Sequence, residues 1–392
     1  MDGDGRPAKL ALFLGAGACS FAGYRTFDSF PDLIFRPEAR SDEGLNSVDA
    51  RTLELLRNVG TVLDIEGLPR THDNFMWILD NYTKLLKSLR IDNELKLRFV
   101  AKTVQESDFS VFDALVKNAI SEMTTTTIRH YARNRVDAAN AEDSRLYDDI
   151  KRAYELYACL ALLNDQEKPF LPVFTTNYDP LLEDMFSEFA DSSSYVFPLV
   201  NGFYDYSVEE AHWESRLYDH RSRASRGLYL YRLHGCVCWY WHEHGMPVYF
   251  HRHRPPQDAV ERVCAMFPGR EIYRGNDPHG PGFRALHHTL ISCEAIAFIG
   301  FSFRDQDVAH VLLSANAQRQ RLPGIIVVDP HLARGSLVER LHKAARNCQF
   351  PVRVPMPEEI IHLPIEFGVA EDFAERVLGE TESLLSTLGE NR

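Results

Sequence analysis

The chain has 392 residues, 45% hydrophobic and 25% charged, with a formal net charge of −13. These proportions describe a globular protein long enough for two packed modules, exclude a disordered chain, and argue against a broad nucleic-acid surface. Seven scattered cysteines without a C-x-x-C pair, no secretory pattern in MDGDGRPAKL and no apolar run near the roughly 20 residues of a bilayer span lead to the expectation of a cytoplasmic protein with reduced thiols.

The first element is LALFL, residues 10–14. It is short, apolar and ends at Gly15, so it reads as a buried strand. Gly15, Gly17 and Gly23 remove Cβ atoms where a backbone either approaches something closely or takes positive φ. A strand breaking into such a turn and entering a helix suits a diphosphate, and it equally suits a tight turn that packs helix on strand. From Arg36 to about Leu163 the pattern changes to amphipathic helical spacing with few glycines. This predicts a helical module over 41–163 inserted into a domain formed by 1–40 and 164–392. His72 and His130 fall in the insertion and are read as structural histidines.

Four more strands are expected downstream, in PFLPVFTTNYD (169–179), GLYLYRLHG (227–235), AIAFIGFSF (295–303) and PGIIVVDP (323–330). Helical patterns follow two of them, DPLLEDMFSEFA and DQDVAHVLLSANAQRQ. Strand, polar tip, helix, strand is the order of a parallel α/β sheet, whose ligands collect at the strands' carboxyl ends. Those ends carry Gly15–Gly17, Asn177 and Asp179, His234 and Gly235, Gly300 and Ser302, and Asp329. Alternation puts Cys236 and Cys238 on one face of a strand, where a zinc ion with His242 or His244 is conceivable but the usual ligand spacing is missing. Basic clusters at Arg221, Arg223 and Arg226 and at His251–Arg254 read as solvated loops. The stretch from His242 to Phe283 is expected to be a hairpin plus loops. AEDFAERVLGETESLLSTLG, residues 370–389, predicts a closing helix that either docks on the core or mediates assembly.

Taken in order, GAGACSFAGYRTF, TTNYD, LHG, GFSF and VVDP resemble the Sir2 (sirtuin) superfamily, and within it the divergent Sir2-like branch of bacterial antiphage defence proteins. The resemblance covers roughly residues 8–40 and 165–345. It implies a Rossmann-like fold, a parallel α/β sheet, that takes NAD⁺ as substrate and cleaves the bond between nicotinamide and ribose. It further implies that Gly15, Ala16 and Gly17 line the diphosphate and that Cys19 stands where the family has a serine. Asn177 and Asp179 would hold the nicotinamide ribose, and His234 would be the general base on a ribose hydroxyl. Gly300 and Ser302 would contact the cofactor, Asp329 would accept from the adenosine ribose, and Phe27 would close over the nicotinamide pocket. Asn177 has a second reading as a turn residue capping the helix that follows, a role Asp179 could fill alone.

The departures from the family shape the expected activity. The two C-x-x-C pairs of the sirtuin zinc ribbon are absent, so no metal is expected. Tyr24-Arg25-Thr26-Phe27 replaces Ile-Pro-Asp-Phe, and Thr176 replaces the glutamine of T-Q-N-x-D. A chain that keeps the NAD⁺ residues without the peptide apparatus can still use water. The reading is therefore an NAD⁺ glycohydrolase releasing nicotinamide and ADP-ribose, acting in antiphage defence by NAD⁺ depletion. A non-catalytic NAD⁺ or ADP-ribose sensor and scaffold is the alternative, and a protein deacylase stands behind it. An enzyme that destroys a central cofactor needs control, so a homo-oligomer is expected, with a separately encoded HerA-like ATPase or Argonaute-like protein as the family's partners. No P-loop is present, so the chain has no ATPase motor of its own.

Overall fold

The computed structural model describes residues 8–22, 50–65, 75, 78–79, 114–125, 144–189, 198–203, 210–214, 226–241, 247–250, 263–265, 278–319, 322–346, 348, 351–368 and 372–390. Chain contacts divide it into two units. One comprises Met1–Tyr24, Arg135–Ala265 and Tyr273–Arg392, the other Arg25–Asn134 and Met266–Ile272. In the second unit the described elements are helical: α1 (Ala50–Ile65) and a helix over 114–125. Helix α1 buries Leu55, Leu56, Val59 and Leu63, the stripe expected of an amphipathic helix.

The first unit is an α/β domain. Seven parallel strands form its main sheet in the order β11-β10-β9-β1-β2-β5-β3. They are β1 (Leu10–Leu14), β2 (Phe170–Thr175), β3 (Leu199–Val200), β5 (Gly227–Arg232), β9 (Ala295–Ile299), β10 (Gly324–Val328) and β11 (Ile360–Leu363). The expected Rossmann-like parallel sheet is present, and all five strands read from the sequence belong to it. Strands β3 and β11, each of four residues or fewer, sit at the two edges, where too short a run carries too little pattern to be read.

Both faces of the sheet are covered, which is why its central strands are apolar throughout instead of alternating. Every residue of β1, β2 and β5 is buried. On one face Leu10, Leu12, Leu14, Val173, Leu230, Ala297 and Ile326 pack in one cluster. That cluster includes Tyr154, Tyr157 and Leu160 of α2 (Ser144–Asn164), Phe186 of α3 (Leu181–Phe189), and Phe373 and Val377 of α7 (Phe373–Glu390). On the other face Phe13 meets Phe298 and Phe174 stacks on Tyr231, beneath α4 (His279–Ser292) and α5 (Gln306–Ala317), with α6 (Arg334–Ala345) packed beside α5. The closing helix α7 therefore places its apolar stripe on its own sheet. At the opposite end from the strand tips, Asn164 ties the layers: its amide oxygen accepts from Leu10 N–H at 2.7 Å and its nitrogen donates to the Leu10 and Phe170 carbonyls.

A smaller antiparallel sheet, β4-β7-β6-β8, is built from one strand before β5 and three after it. Its strands are β4 (Glu210–His212), β6 (Gly235–Trp241), β7 (Pro247–Phe250) and β8 (Val263–Ala265). Trp239 of β6 packs against Phe203 and Trp213. In the stretch His242–Phe283, expected to be a hairpin plus loops, the described residues form β7 and β8, which both pair with β6 ahead of the stretch instead of with each other, and the first turn of α4. No described helix is long and apolar enough to cross a membrane.

Candidate functional site at the carboxyl ends of the parallel strands

The chain runs outward from β1 to β2 and β5, then returns to lay β9 on the other side of β1. The strand order reverses between β1 and β9, and it is outside the carboxyl ends at such a reversal that parallel sheets bind ligands. Here the loop after β1 crosses the loop after β9. Gly15 N–H donates to the Ile299 carbonyl at 2.9 Å and Gly17 N–H to the Gly300 carbonyl at 3.0 Å. A Cβ on Gly17 would stand 2.9 Å from Gly300 Cα, and Gly300 itself has φ +59° with the Gly17 and Ala18 backbone inside contact distance. These glycines let two backbones touch. Two of the N–H groups expected to face a diphosphate are engaged instead by the end of β9 and the residue after it. Ala16 opens the 3₁₀ turn Ala16–Ala22 in a half-buried position, with Cys19 buried further along it.

Asn177 stands just past β2 and is 7% exposed. Its amide nitrogen donates to the Gly15 carbonyl at 2.9 Å and lies 3.2 Å from the Cys19 Sγ. The capping role falls to Asp179, whose Oδ1 accepts from Leu181 N–H at 3.1 Å at the start of α3. That frees Asn177 for the β1 loop. Asp179 is buried, and burial raises its carboxyl above the usual range against the pull of Arg232, the Leu181 N–H and the Cys19 thiol. Burial, followed by the Asp179 charge, pushes the Cys19 thiol well up. Cys19 is therefore an inert donor, far from a reactive thiolate.

Behind Asn177 lies a buried ion pair. Arg232, at the end of β5, donates from Nε to Glu183 Oε1 at 2.7 Å and from a terminal nitrogen to Oε2, and donates again to the Asn177 carbonyl at 2.9 Å. Both charged residues are 1% exposed or less. Sequence reading passed over this pair, although an arginine inside LYLYRL and a glutamate inside LLEDMF are charges on otherwise apolar faces, and such charges must meet.

His234 follows β5, and Gly235 turns the chain after it with φ +79°, its missing Cβ making room for the Cys264 carbonyl. The imidazole Nε2 lies 3.1 Å from Asp305 Oδ2. The two atoms are at ion-pair distance without the alignment of a hydrogen bond. Asp305 also caps α5, its Oδ1 accepting from Asp307 and Val308 N–H. A second histidine, His279, sits behind His234 and stacks on Trp239. Burial, then the neighbouring His234, lowers its pKa to about 4 against an interaction with the Leu233 carbonyl. Asp305 and His279 were not singled out in the sequence. Asp305 carried a signal, an acidic residue opening a helix two positions after GFSF; His279 carried none.

The remaining candidates close the same end of the sheet. Ser302 is half-buried and its carbonyl accepts from Arg340 of α6. Gly300 N–H donates to the Val328 carbonyl, which brings β10 and Asp329 beside it. Asp329 Oδ1 accepts from His331 and Leu332 N–H at 2.8 Å, so the carboxylate organises its own loop. Phe27, His72, His130, Arg221, Arg223, His242, His244 and His251–Arg254 lie outside the described residues. Among the described residues no group of three metal-ligating side chains comes together, and Cys236 and Cys238 are buried free thiols.

Residues 172–347 match the family model of a SIR2-like domain. No curated protein matches the chain. The matched stretch holds Asn177, Asp179, His234, Gly300, Ser302 and Asp329; the structure adds Gly15, Ala16, Gly17 and Cys19, which precede it in sequence and lie against it in space.

Proposed function

We propose that the protein is an NAD⁺ glycohydrolase, a reading supported by the match of residues 172–347 to a SIR2-like domain, a domain type compatible with NAD-utilising chemistry. The observation that carries the reading is the placement of Asn177 and His234 just past the carboxyl ends of the neighbouring strands β2 and β5, next to the β1–β9 switch point. Loss of nicotinamide leaves an oxocarbenium-like carbon at C1′. What the protein must supply is a dry pocket, a ribose held in register and a group that steers water in. An amide can orient ribose or water without reacting. An imidazole can take the proton of a hydroxyl near neutral pH. Residues matching the family's role for NAD⁺ thus sit where an α/β sheet binds ligands, and the zinc-ribbon cysteines of a deacylase are missing from the sequence.

The wider setting follows from the activity. Unregulated NAD⁺ hydrolysis would deplete the producing cell, so we assign control to assembly or to a separately encoded partner, a HerA-like ATPase or an Argonaute-like protein, in antiphage defence. One observation favours a second reading, a non-catalytic NAD⁺ or ADP-ribose sensor: the Asn177 amide nitrogen and the Asp179 carboxylate are both bonded into the interior.

The test is release of nicotinamide from NAD⁺ by the full chain, alone and with an acetyl-lysine peptide. Hydrolysis is expected without peptide, and Asn177→Ala and His234→Ala are each expected to lower kcat by about 10²-fold or more while the protein stays folded. Saturable NAD⁺ binding with no product would establish the sensor instead.

A further inference from the structure

We propose that Asp305 is a positioning residue for His234, holding the ring through Nε2 so that Nδ1 is the nitrogen presented to a ribose hydroxyl. The ligand half of this statement rests on the NAD⁺ reading above. Three observations on the chain itself carry the positioning half. First, Nε2 of His234 is sealed from solvent and sits 3.1 Å from Asp305 Oδ2, whereas the side chain as a whole keeps 12% of its surface exposed. Solvent or a ligand reaches the ring by another edge. Second, the carboxylate cannot swing freely, because its other oxygen accepts two N–H groups of the first turn of α5. Oδ2 is thereby aimed at the imidazole by the helix it caps.

Third, the loop that delivers Asp305 is anchored and strained. Phe303, two residues earlier, has φ +56°, a region that bulky side chains rarely adopt. Its buried ring lies 4.6 Å from that of Phe298 and 4.9 Å from that of Phe301, which in turn packs 4.4 Å from Phe13. Three phenylalanines, Phe298 and Phe301 directly and Phe13 through Phe301, hold the left-handed residue in place. Backbone strain persists where the surroundings over-determine it, and such places are often working parts of a protein.

The chemistry assigned to the pair is a single proton transfer. The ribose O–H bond breaks, its electron pair stays on oxygen, and the proton joins the Nδ1 lone pair. The ring then carries a positive charge with its Nε2–H facing the Asp305 carboxylate, which stabilises it without taking the proton. Present misalignment of the Nε2–Asp305 contact fits a resting site, since catalytic hydrogen bonds often tighten only with substrate bound.

Asparagine separates the two jobs of Asp305. In Asp305→Asn the amide oxygen still caps α5, which turns the NH₂ group toward His234 Nε2. In the wild type, two-bond ¹H–¹⁵N imidazole spectra of the full chain are expected to show neutral His234 protonated on Nε2; in Asp305→Asn the proton moves to Nδ1. Nicotinamide release by Asp305→Asn should fall on the order of tenfold to a hundredfold in kcat with little change in KM, at a melting temperature close to wild type. Asp305→Ala should lose the rate and also melt lower. The proposal is overturned if wild-type His234 carries its proton on Nδ1, or if Asp305→Asn keeps both tautomer and rate. It is also overturned if Asp305→Asn and Asp305→Ala melt equally low, since Asp305 would then be a cap alone. A tautomer change in a protein that releases no nicotinamide under any condition supports the positioning and refutes the hydrolase reading.

Discussion

Around Asn177 the side-chain amide, the backbone N–H and the carbonyl are each bonded, to the β1 loop, to Thr175 and to Arg232. His234, one strand away, meets Asp305 at 3.1 Å without alignment and keeps part of its ring open. The first half of the site is built into the core, with the Asn177 backbone and amide nitrogen tied to three neighbouring elements. The second is delivered by a loop and a helix cap. If this is the site of the proposed reaction, one group is fixed by the fold and the other is left to adjust to a ligand. The comparison also says where damage should be structural and where it should be kinetic.

The hardest way to break the fixed half is at the loop crossing. Gly300→Ala adds a Cβ inside contact distance of the Gly17 and Ala18 backbone, at a φ of +59° that alanine rarely adopts. Overpacking against backbone and positive-φ strain act together, so a loss of about 4 kcal/mol or more is expected. Chemical denaturation checks it. A variant within 1 kcal/mol of wild type, roughly the size of an ordinary surface change, would mean that the crossing is loose.

Next comes the ion pair beneath Asn177. Arg232→Ala leaves Glu183 charged, buried and alone, at an expected cost of about 3–5 kcal/mol. The double variant Arg232→Met, Glu183→Leu removes both charges and should regain most of that stability. It does not restore the donor to the Asn177 carbonyl. If the pair matters only for folding, NADase rate returns with stability; if it also holds Asn177, kcat stays low in the stable double variant.

How much of this was legible in the sequence follows from the same contrast. Strand ends such as GAGA, TTNYD and LHG could be read because polar and glycine-bearing tips close apolar runs, and the sheet gathered those tips at one end. The purpose of the glycines was read only in part. A missing Cβ announces a close approach, and the sequence cannot say whether the approaching atom belongs to a phosphate or, as at Gly17, to Gly300. Asp179 and Asn177 were competing caps on paper, and only the Leu181 N–H shows which one caps. Arg232 and Glu183 each stand out as a charge in an apolar run, but they are 49 residues apart, and nothing in the sequence pairs them. Strand β11 and edge strand β3 escaped notice because each is too short to show a period.

The adjustable half is sharpened by acid. His279 has its pKa lowered to about 4, below the unfolded value near 6.5. Its contribution to stability is therefore complete above pH 6.5 and is lost as pH falls through about 4, because the unfolded chain binds the proton first. A difference of about 2.5 units corresponds to about 3 kcal/mol. His279→Phe keeps a ring over Trp239 without a titrating group. The variant starts lower at pH 7, having lost the Leu233 carbonyl's partner, but wild type should lose about 3 kcal/mol more than the variant between pH 7 and pH 4. Parallel stability curves would show that His279 titrates as an exposed histidine does.

The smallest effect has the opposite sign and belongs to the fixed half. Asp179 has a raised carboxyl, held up by burial against the pull of Arg232, the Leu181 N–H and the Cys19 thiol. A raised carboxylate favours the fold in its protonated form, so its contribution is present below the unfolded value near 3.8 and is lost as pH climbs through the folded value. Asp179→Asn keeps an oxygen for the Leu181 cap and carries no charge, and asparagine and aspartate cap about equally well. Relative to wild type it should gain stability as pH rises from 3 toward neutrality, with the gap narrowing again in acid. Denaturation curves at a series of pH values measure that gap. Were it to widen in acid instead, the Asp179 charge would be stabilising the fold, and Arg232 would have to be counted as its partner as much as Glu183's. If Asp179→Asn is stable yet turns over NAD⁺ at the wild-type rate, the Asp179 carboxylate is scaffolding for Asn177 and the ribose contact belongs to another residue of the site.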